Sequence, residues 1–329
     1  YDNSDNKTGT VDNITHKKAA VHNNVGGTAY LYGGNYTRSA EASTSTTDNK
    51  GNSWYNIVNY GTMEMEDIKV TSSGSFSSLV ENGWYDGTQN KTQKPAVLTI
   101  ESGKFSGGTN TIKNDDWGEL VINGGTFENK TQHAVLNWNV TEINGGTFKV
   151  SDTGSSTVHA VANGYADEVK DKGKLTITGG DFNGGIWINN TGDAATTAAN
   201  NVAVSGGKFS ADVTRYLTDT AGISALSFDG KYTVISPDSP TSAEGTYRTK
   251  SSESGTFEQM SLFNKTFNTD TDLSSISFKV NIIENGSTTS GTYNYTGADT
   301  TIAAGGTAVF GLIVTDIPDR ATVTVTLAD

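Results

Sequence analysis

Between Leu98 and Phe148 apolar and polar positions alternate over short runs, each ending in glycine and an aromatic ring. Leu98-Thr99-Ile100-Glu101-Ser102-Gly103-Lys104-Phe105 is followed by Leu120-Val121-Ile122-Asn123-Gly124-Gly125-Thr126-Phe127 and by Glu142-Ile143-Asn144-Gly145-Gly146-Thr147-Phe148. The phenylalanines stand 22 and then 21 residues apart. Leu120 and Ile122 share one face of a short strand, with Val121 on the other. The glycines permit positive φ at a corner, after which the phenylalanine turns back inward. So short a strand cannot bury its own apolar face and must stack on a copy of itself. Runs of 3.6-residue period are missing, so a repeat of this length predicts one coil of a parallel β-helix.

The same frame recurs outside this stretch. Tyr30-Leu31-Tyr32-Gly33-Gly34-Asn35-Tyr36 carries tyrosine for phenylalanine, and Ile68-Lys69-Val70 leading to Gly74-Ser75-Phe76 reads as a degraded copy. Leu175 to Phe182 and Val202 to Phe209 bring the number to seven. A second series of short strands ends in asparagine: Ile57-Val58-Asn59, Leu79-Val80-Glu81-Asn82, Ile112-Lys113-Asn114, Val135-Leu136-Asn137, Val161-Ala162-Asn163 and Ile186-Trp187-Ile188-Asn189. Asparagine tolerates left-handed geometry at a corner, and its amide can bond the asparagine of the next coil. Five of these six corners are followed within three residues by an aromatic: Tyr60, Trp84, Trp117, Trp138 and Tyr165.

Taken in order, Val21-His22-Asn23 is a degenerate asparagine corner and 37–53 a protruding polar loop. The coils run to about Phe209. Ala211 to Leu217 breaks the strand pattern and predicts a short helical cap, since a stack otherwise ends in an open edge. Leu226 to Ile235 reads as a hairpin about Asp229-Gly230. Pro237 and Pro240 mark a linker. Beyond it Ile276–Ile282, Tyr293–Tyr295, Ala308–Leu312 and Ala321–Leu327 alternate cleanly, as in an antiparallel β-sandwich. The expected organisation is an all-β chain: a parallel β-helix over 1–235, a linker over 236–245 and a sandwich over 246–329.

Composition narrows the functional classes. Lys and Arg number 23 against 36 acidic residues, a net charge of -13. Such acidity disfavours nucleic acid and anionic membranes, which require basic patches. Cysteine is absent, which excludes disulfides and Cys-ligated metals. A Cys-free, acidic chain rich in Thr, Asn and Gly suits an exported bacterial surface protein. No signal peptide, membrane-spanning run or sorting signal is visible, and the ends read as those of an excised fragment.

The strand-Asn-Gly-Gly-Thr-Phe unit resembles the right-handed β-helix repeats of pectate-lyase-like surface proteins of Gram-positive bacteria, over roughly 20–235. Such helices serve as lyases, hydrolases, adhesins and spacers alike. The C-terminal module is similar to the pilin and collagen-adhesin B-type sandwiches, through Lys265-Thr266-Phe267, Ile276-Ser277-Phe278 and Thr324-Val325-Thr326. Many of those modules carry a Lys–Asn isopeptide bond, and their last strand usually ends in Thr-Glu. Here Leu327 follows Thr326, which argues against such a bond at Lys265 or Lys279.

Candidate chemistry concentrates at the asparagine corners. Asp115, Asp116 and Glu119 flank Trp117 and suggest paired carboxylates acting on a glycan. A lyase would also need a basic partner; Lys113 is near, but no arginine lies between Arg38 and Arg215. His133 and His159 precede equivalent strands of successive coils, which reads as an exposed ladder rather than a metal pair. Asn268-Thr269-Asp270-Thr271-Asp272 begins like a calcium loop, but Leu273 and Lys279 stand where Gly and Glu are required. No metal or cofactor is therefore expected. Trp117 and Trp138 each lie ten residues before a motif phenylalanine, so both indoles are expected to stack and face solvent.

The resulting expectation is a non-catalytic, adhesin-like surface binder, monomeric and cell-wall attached in its full-length form. Its ligand stripe is Trp84, Asp115, Asp116, Trp117, Asn137, Trp138 and Tyr165, and its partner a host protein or glycan. An immunoglobulin-binding protein and a polysaccharide-active enzyme using the corner carboxylates are the alternatives.

Overall fold

A computed structural model describes residues 9–12, 18–38, 54–74, 76–85, 95–151, 158–164, 173–189, 195, 199–218, 222–224, 232–235, 245–250, 256–295, 301–318 and 321–328 of the chain. Its contacts divide the chain into two units, Tyr1–Asp212 and Val213–Asp329. No helix among the described residues is long and apolar enough to cross a membrane.

The first unit is a parallel β-helix, in which each coil contributes one strand to each of three sheets. The aliphatic sheet stacks Thr28–Tyr32, Thr62–Glu66, Ala96–Ile100, Gly118–Ile122, Val140–Ile143, Lys174–Ile177 and Val202–Val204. The phenylalanine sheet stacks Thr10–Asp12, Asn35–Arg38, Ile68–Ser72, Gly103–Ser106, Thr126–Asn129, Thr147–Val150, Asp181–Asn183 and Gly207–Phe209. The asparagine sheet stacks Val21–Asn23, Ile57–Asn59, Val80–Asn82, Asn110–Asn114, His133–Asn137, His159–Asn163 and Ile186–Ile188.

Register is strict where the motif is clean. Phe105, Phe127, Phe148, Phe182 and Phe209 lie directly above one another. Their centroids are 5.0, 4.9, 4.5 and 4.5 Å apart and their planes within 8° of parallel. Leu98, Leu120, Leu175, Ile100, Ile122, Ile143 and Ile177 fill the interior beside them. The two corner glycines have separate causes. Gly125 has φ +109°, which a side chain rarely adopts, while a Cβ at Gly145 would sit 2.4 Å from the Asn123 carbonyl of the coil below.

Asparagine closes the third corner by hydrogen bonding. Asn23 Nδ2 donates to Asn59 Oδ1, Asn59 to Asn82, Asn82 to Asn114, Asn114 to Asn137 and Asn137 to Asn163, all at 2.8–3.0 Å. Asn114 Nδ2 also donates to the Val140 carbonyl at 2.8 Å. These amides are buried, so each bond replaces water that cannot reach them.

Several expectations need correction. Ladder asparagines are ordinary strand residues; their value lies in the amide and not in left-handed backbone, which here belongs to Gly83 and Gly164. Asn163 pairs with Ile188, so Asn189 falls one position past the ladder. Ile68-Lys69-Val70 is no aliphatic strand: it belongs to the phenylalanine sheet, with Val70 beneath Phe105, and Met63 and Met65 supply the aliphatic strand of that coil. Asp67, with φ 54°, takes the corner that glycine occupies elsewhere.

The second unit is antiparallel. One sheet runs in the order Tyr232–Ile235, Gly222–Ser224, Gly245–Lys250, Thr256–Thr266, Thr307–Pro318. A second is Ser287–Asn294, Ser277–Glu284, Thr322–Leu327. Phe257, Phe267, Phe278, Val280, Phe310, Leu312, Ile317 and Val323 form the core. The expected cap is a 3-10 turn at Thr214–Tyr216. Tyr232–Ile235 pairs antiparallel with Gly222–Ser224, and the expected strand at 226–228 lies outside the described residues together with 236–244 of the expected linker. The calcium-like run serves as local capping: Asp272 Oδ1 accepts from the Ser274 amide at 2.9 Å, and Asp270 Oδ1 from the Ala304 amide at 2.9 Å. Lys265 and Lys279 are exposed.

Asn114→Ala is expected to destabilise the first unit by about 2–4 kcal/mol, because it strands the amides of Asn82 and Asn137 in a buried corner. Combined with Asn137→Ala the cost should fall short of the sum, since the two share a bond. Urea titration measures both; a strictly additive pair would show that the amides act independently.

Candidate functional site

The outward row of the asparagine sheet is unusual for a solvent-facing surface. Register places Val58, Glu81, Lys113, Leu136, Ala162 and Trp187 in consecutive coils of that row. Their parity is opposite to that of the ladder asparagines, so they point out of the coil. Yet Val58 and Ala162 are fully buried and Glu81 is 5% exposed.

Rings surround this row at the corner. His22 meets Tyr60 edge-on at 5.1 Å, Tyr60 meets Trp84 edge-on at 5.5 Å, and Trp84 stacks on Trp117 at 5.9 Å with 16° between planes. Trp138 joins differently: Lys113 Nζ lies 4.0 Å above its ring, a cation–π contact. Tyr55 comes from the segment before the Ile57 strand. Arg38, fully buried, fixes that segment by donating from Nη1 to the carbonyls of Lys18 and Tyr55.

The enclosed charges respond to loss of water. Lys113 Nζ pairs with Asp115 Oδ2 at 2.6 Å, and the Asp116 amide donates to Asp115 Oδ1 at 2.9 Å. Burial still raises the Asp115 pKa, against the pull of Lys113. Glu81 is pushed up to about 8, chiefly by burial and further by Asp115, while Lys113 and the Tyr55 and Tyr60 hydroxyls oppose the rise. Tyr60 Oη lies 3.5 Å from Glu81 Oε2. Tyr55 and Tyr60 are both raised, first by burial and then by the Glu81 carboxylate. Lys113 and Asp115 thus form a salt bridge beside Glu81, whose carboxyl keeps its proton to about pH 8.

The expected stripe is only partly realised. Trp84 and Trp138 are half-buried, but Trp117 is 9% exposed and packed under Trp84. Trp117 stacks on Trp84, while Trp138 lies against Lys113. Asn114 to Glu119 spans five residue steps and Asn137 to Val140 only three, although both ends are in register. Counting back from the phenylalanines equates two rings that leave corners of different length. Asn137 is a fully buried rung of the ladder, and Asp115 and Asp116 lie beneath the rings rather than on the surface. Glu119 is exposed on the neighbouring aliphatic sheet, and Tyr165 lies outside the described residues. Sequence reasoning passed over Tyr55, Glu81 and His22. The available signal for Glu81 was an acid at the alternate position of a repeat whose neighbouring copy holds Lys113.

The two histidines also differ from expectation. His133 is only 4% exposed and pairs in register with the half-buried His159. Burial lowers the pKa of both, and His159 lowers that of His133 further, to about 4.

No known protein family matches the chain, and neither curated proteins nor solved structures yield a match.

Linkage gives this site a pH signature. Folded Glu81 keeps a proton to about 8 that the unfolded chain releases near 4.5, so its contribution is lost as pH rises across that interval. His133 acts with the opposite sign, its contribution being lost as pH falls from 6.5 toward 4. Between pH 6.5 and 8 the melting temperature should fall, and Glu81→Gln, which keeps the shape without the ionisation, should flatten that slope. An unchanged slope in Glu81→Gln would refute the buried-acid reading.

Proposed function

We propose that this chain is a non-catalytic, adhesin-like cell-surface binding protein whose β-helix offers its aromatic corner to a host partner. The observation that carries the reading is the run of Tyr60, Trp84 and Trp138 along one side of the stack, half-buried, with Tyr85 55% exposed beside them. Aromatic groups set over polar ones are characteristic anchors of binding surfaces. The net charge of -13 and the absence of cysteine support a secreted, cell-wall-attached location.

Ring geometry favours a host protein over a host glycan. A sugar ring needs a free aromatic face, whereas Trp84 and Trp117 cover one another and Lys113 covers a face of Trp138. Ring edges and the projecting Tyr85 suit a protein surface; an immunoglobulin belongs to this class of partner. A second reading, a glycan-active enzyme, draws on Glu81 held protonated near Asp115, the acid and carboxylate combination of glycoside hydrolysis. Burial of both groups weighs against it, because substrate must touch them.

Capture from host secretions by the immobilised protein, before and after enzymatic deglycosylation and beside a glycan array, tests the assignment. Tyr85→Ala should leave stability within about 0.5 kcal/mol of wild type. It should weaken capture by about 2 kcal/mol or more if Tyr85 is a hot spot. Trp117→Ala should instead cost about 3–5 kcal/mol in folding. Capture that survives both Tyr85→Ala and Trp84→Ala would move the binding face elsewhere, and hydrolysis of a polysaccharide that stops in Glu81→Gln would establish the enzyme.

A further inference from the structure

Three successive coils bring His133, His159 and Trp187 together on the asparagine sheet. His133 and His159 are direct register partners, and Trp187 pairs with Ala162 in the coil beyond. The imidazole centroids are 5.7 Å apart, and the indole lies 5.3 Å from His133 and 5.5 Å from His159. The Nδ1 atoms of both histidines are buried and make no hydrogen bond. Both Nδ1 atoms are thus enclosed polar atoms that no neighbouring group satisfies.

We propose that His133, His159 and the face of Trp187 form a binding site for one soft monovalent d10 cation, Cu(I) or its analogue Ag(I). Zinc in a structural site takes four ligands and in a catalytic site three plus water. No group of three His, Asp or Glu capable of holding a metal exists among the described residues. Imidazole nitrogens suit copper, a monovalent d10 cation accepts two donors where zinc takes four, and an indole face within about 6 Å adds cation–π attraction. The chain has no cysteine to compete as a thiolate. The rival soft donor is the thioether of Met260, 39% exposed in the second unit.

Titration of the full chain with silver nitrate in chloride-free buffer, followed by indole emission and native mass spectrometry, decides the matter. The expected result is one Ag(I) per chain with quenching of emission. Affinity should drop at least about ten-fold in His133→Asn and in His159→Asn. Trp187→Phe should remove the quenching while one ion still binds, and Met260→Leu should change nothing. Circular dichroism checks each variant; if His133→Asn fails to fold, the more exposed His159→Asn decides alone. Absence of saturable one-to-one binding, undiminished binding in His159→Asn, or Zn(II) bound as tightly as Ag(I) would each overturn the proposal.

Discussion

The asparagine ladder is the constraint on which the helix depends. A coil of three short strands has three corners, and each must turn the chain without leaving backbone groups unsatisfied inside. Two corners are solved by apolar packing and glycine. At the third, a buried amide donates to the amide of the next coil and to a carbonyl of the next strand, as Asn114 does with Asn137 and Val140. Each rung needs the rung on either side, so the interaction fixes the coils to one another. A shift of one residue would place the neighbouring outward position, Glu81 or Lys113, at the buried rung.

That register has a consequence on the other face of the same strands. Because Asn82 and Asn114 must align, Glu81 and Lys113 must align as well. A carboxyl and an ammonium are thereby fixed side by side, and the rings of Tyr60, Trp84, Trp117 and Trp138 pack around them. The result is a charge cluster outside the coil yet shielded from water, which is why Glu81 holds its proton to about 8. Burial outweighs the adjacent ammonium there, and the carboxylate of Asp115, paired with Lys113 at 2.6 Å, pushes in the same direction as burial.

Legibility in the sequence followed periodicity. Strand-Gly-Gly-Thr-Phe fixed the coil because the phenylalanine stack, the aliphatic row and the glycine corner all repeat at one spacing. The asparagine ladder was legible for the same reason, and even the degenerate Val21-His22-Asn23 found its place. What failed were the features that depend on corner length. Trp117 and Trp138 are equidistant from their phenylalanines but not from their ladder asparagines. Ile68-Lys69-Val70 imitates an aliphatic strand in composition, yet Thr62-Met63-Glu64-Met65 precedes it with the same alternation and takes that role. Glu81 was invisible as a site because alternation predicts an outward polar residue to be solvated; only the arrival of rings from other corners makes it buried.

Chemical distinctiveness along this stack therefore arises in two ways, from departures in corner length and from reactive side chains held in register. Where register is uniform, as at Phe127 and Phe148, every coil presents the same groups and no position differs from its neighbours. Where the corner between Asn114 and Glu119 lengthens by two residues relative to the next coil, the extra chain carries Asp115, Asp116 and Trp117 into space the regular fold leaves empty. The His133–His159–Trp187 group is the complementary case, in which uniform register brings like side chains together and an indole in the following coil joins them. The ladder supplies rigidity in both places, and variation at its margins supplies the chemistry.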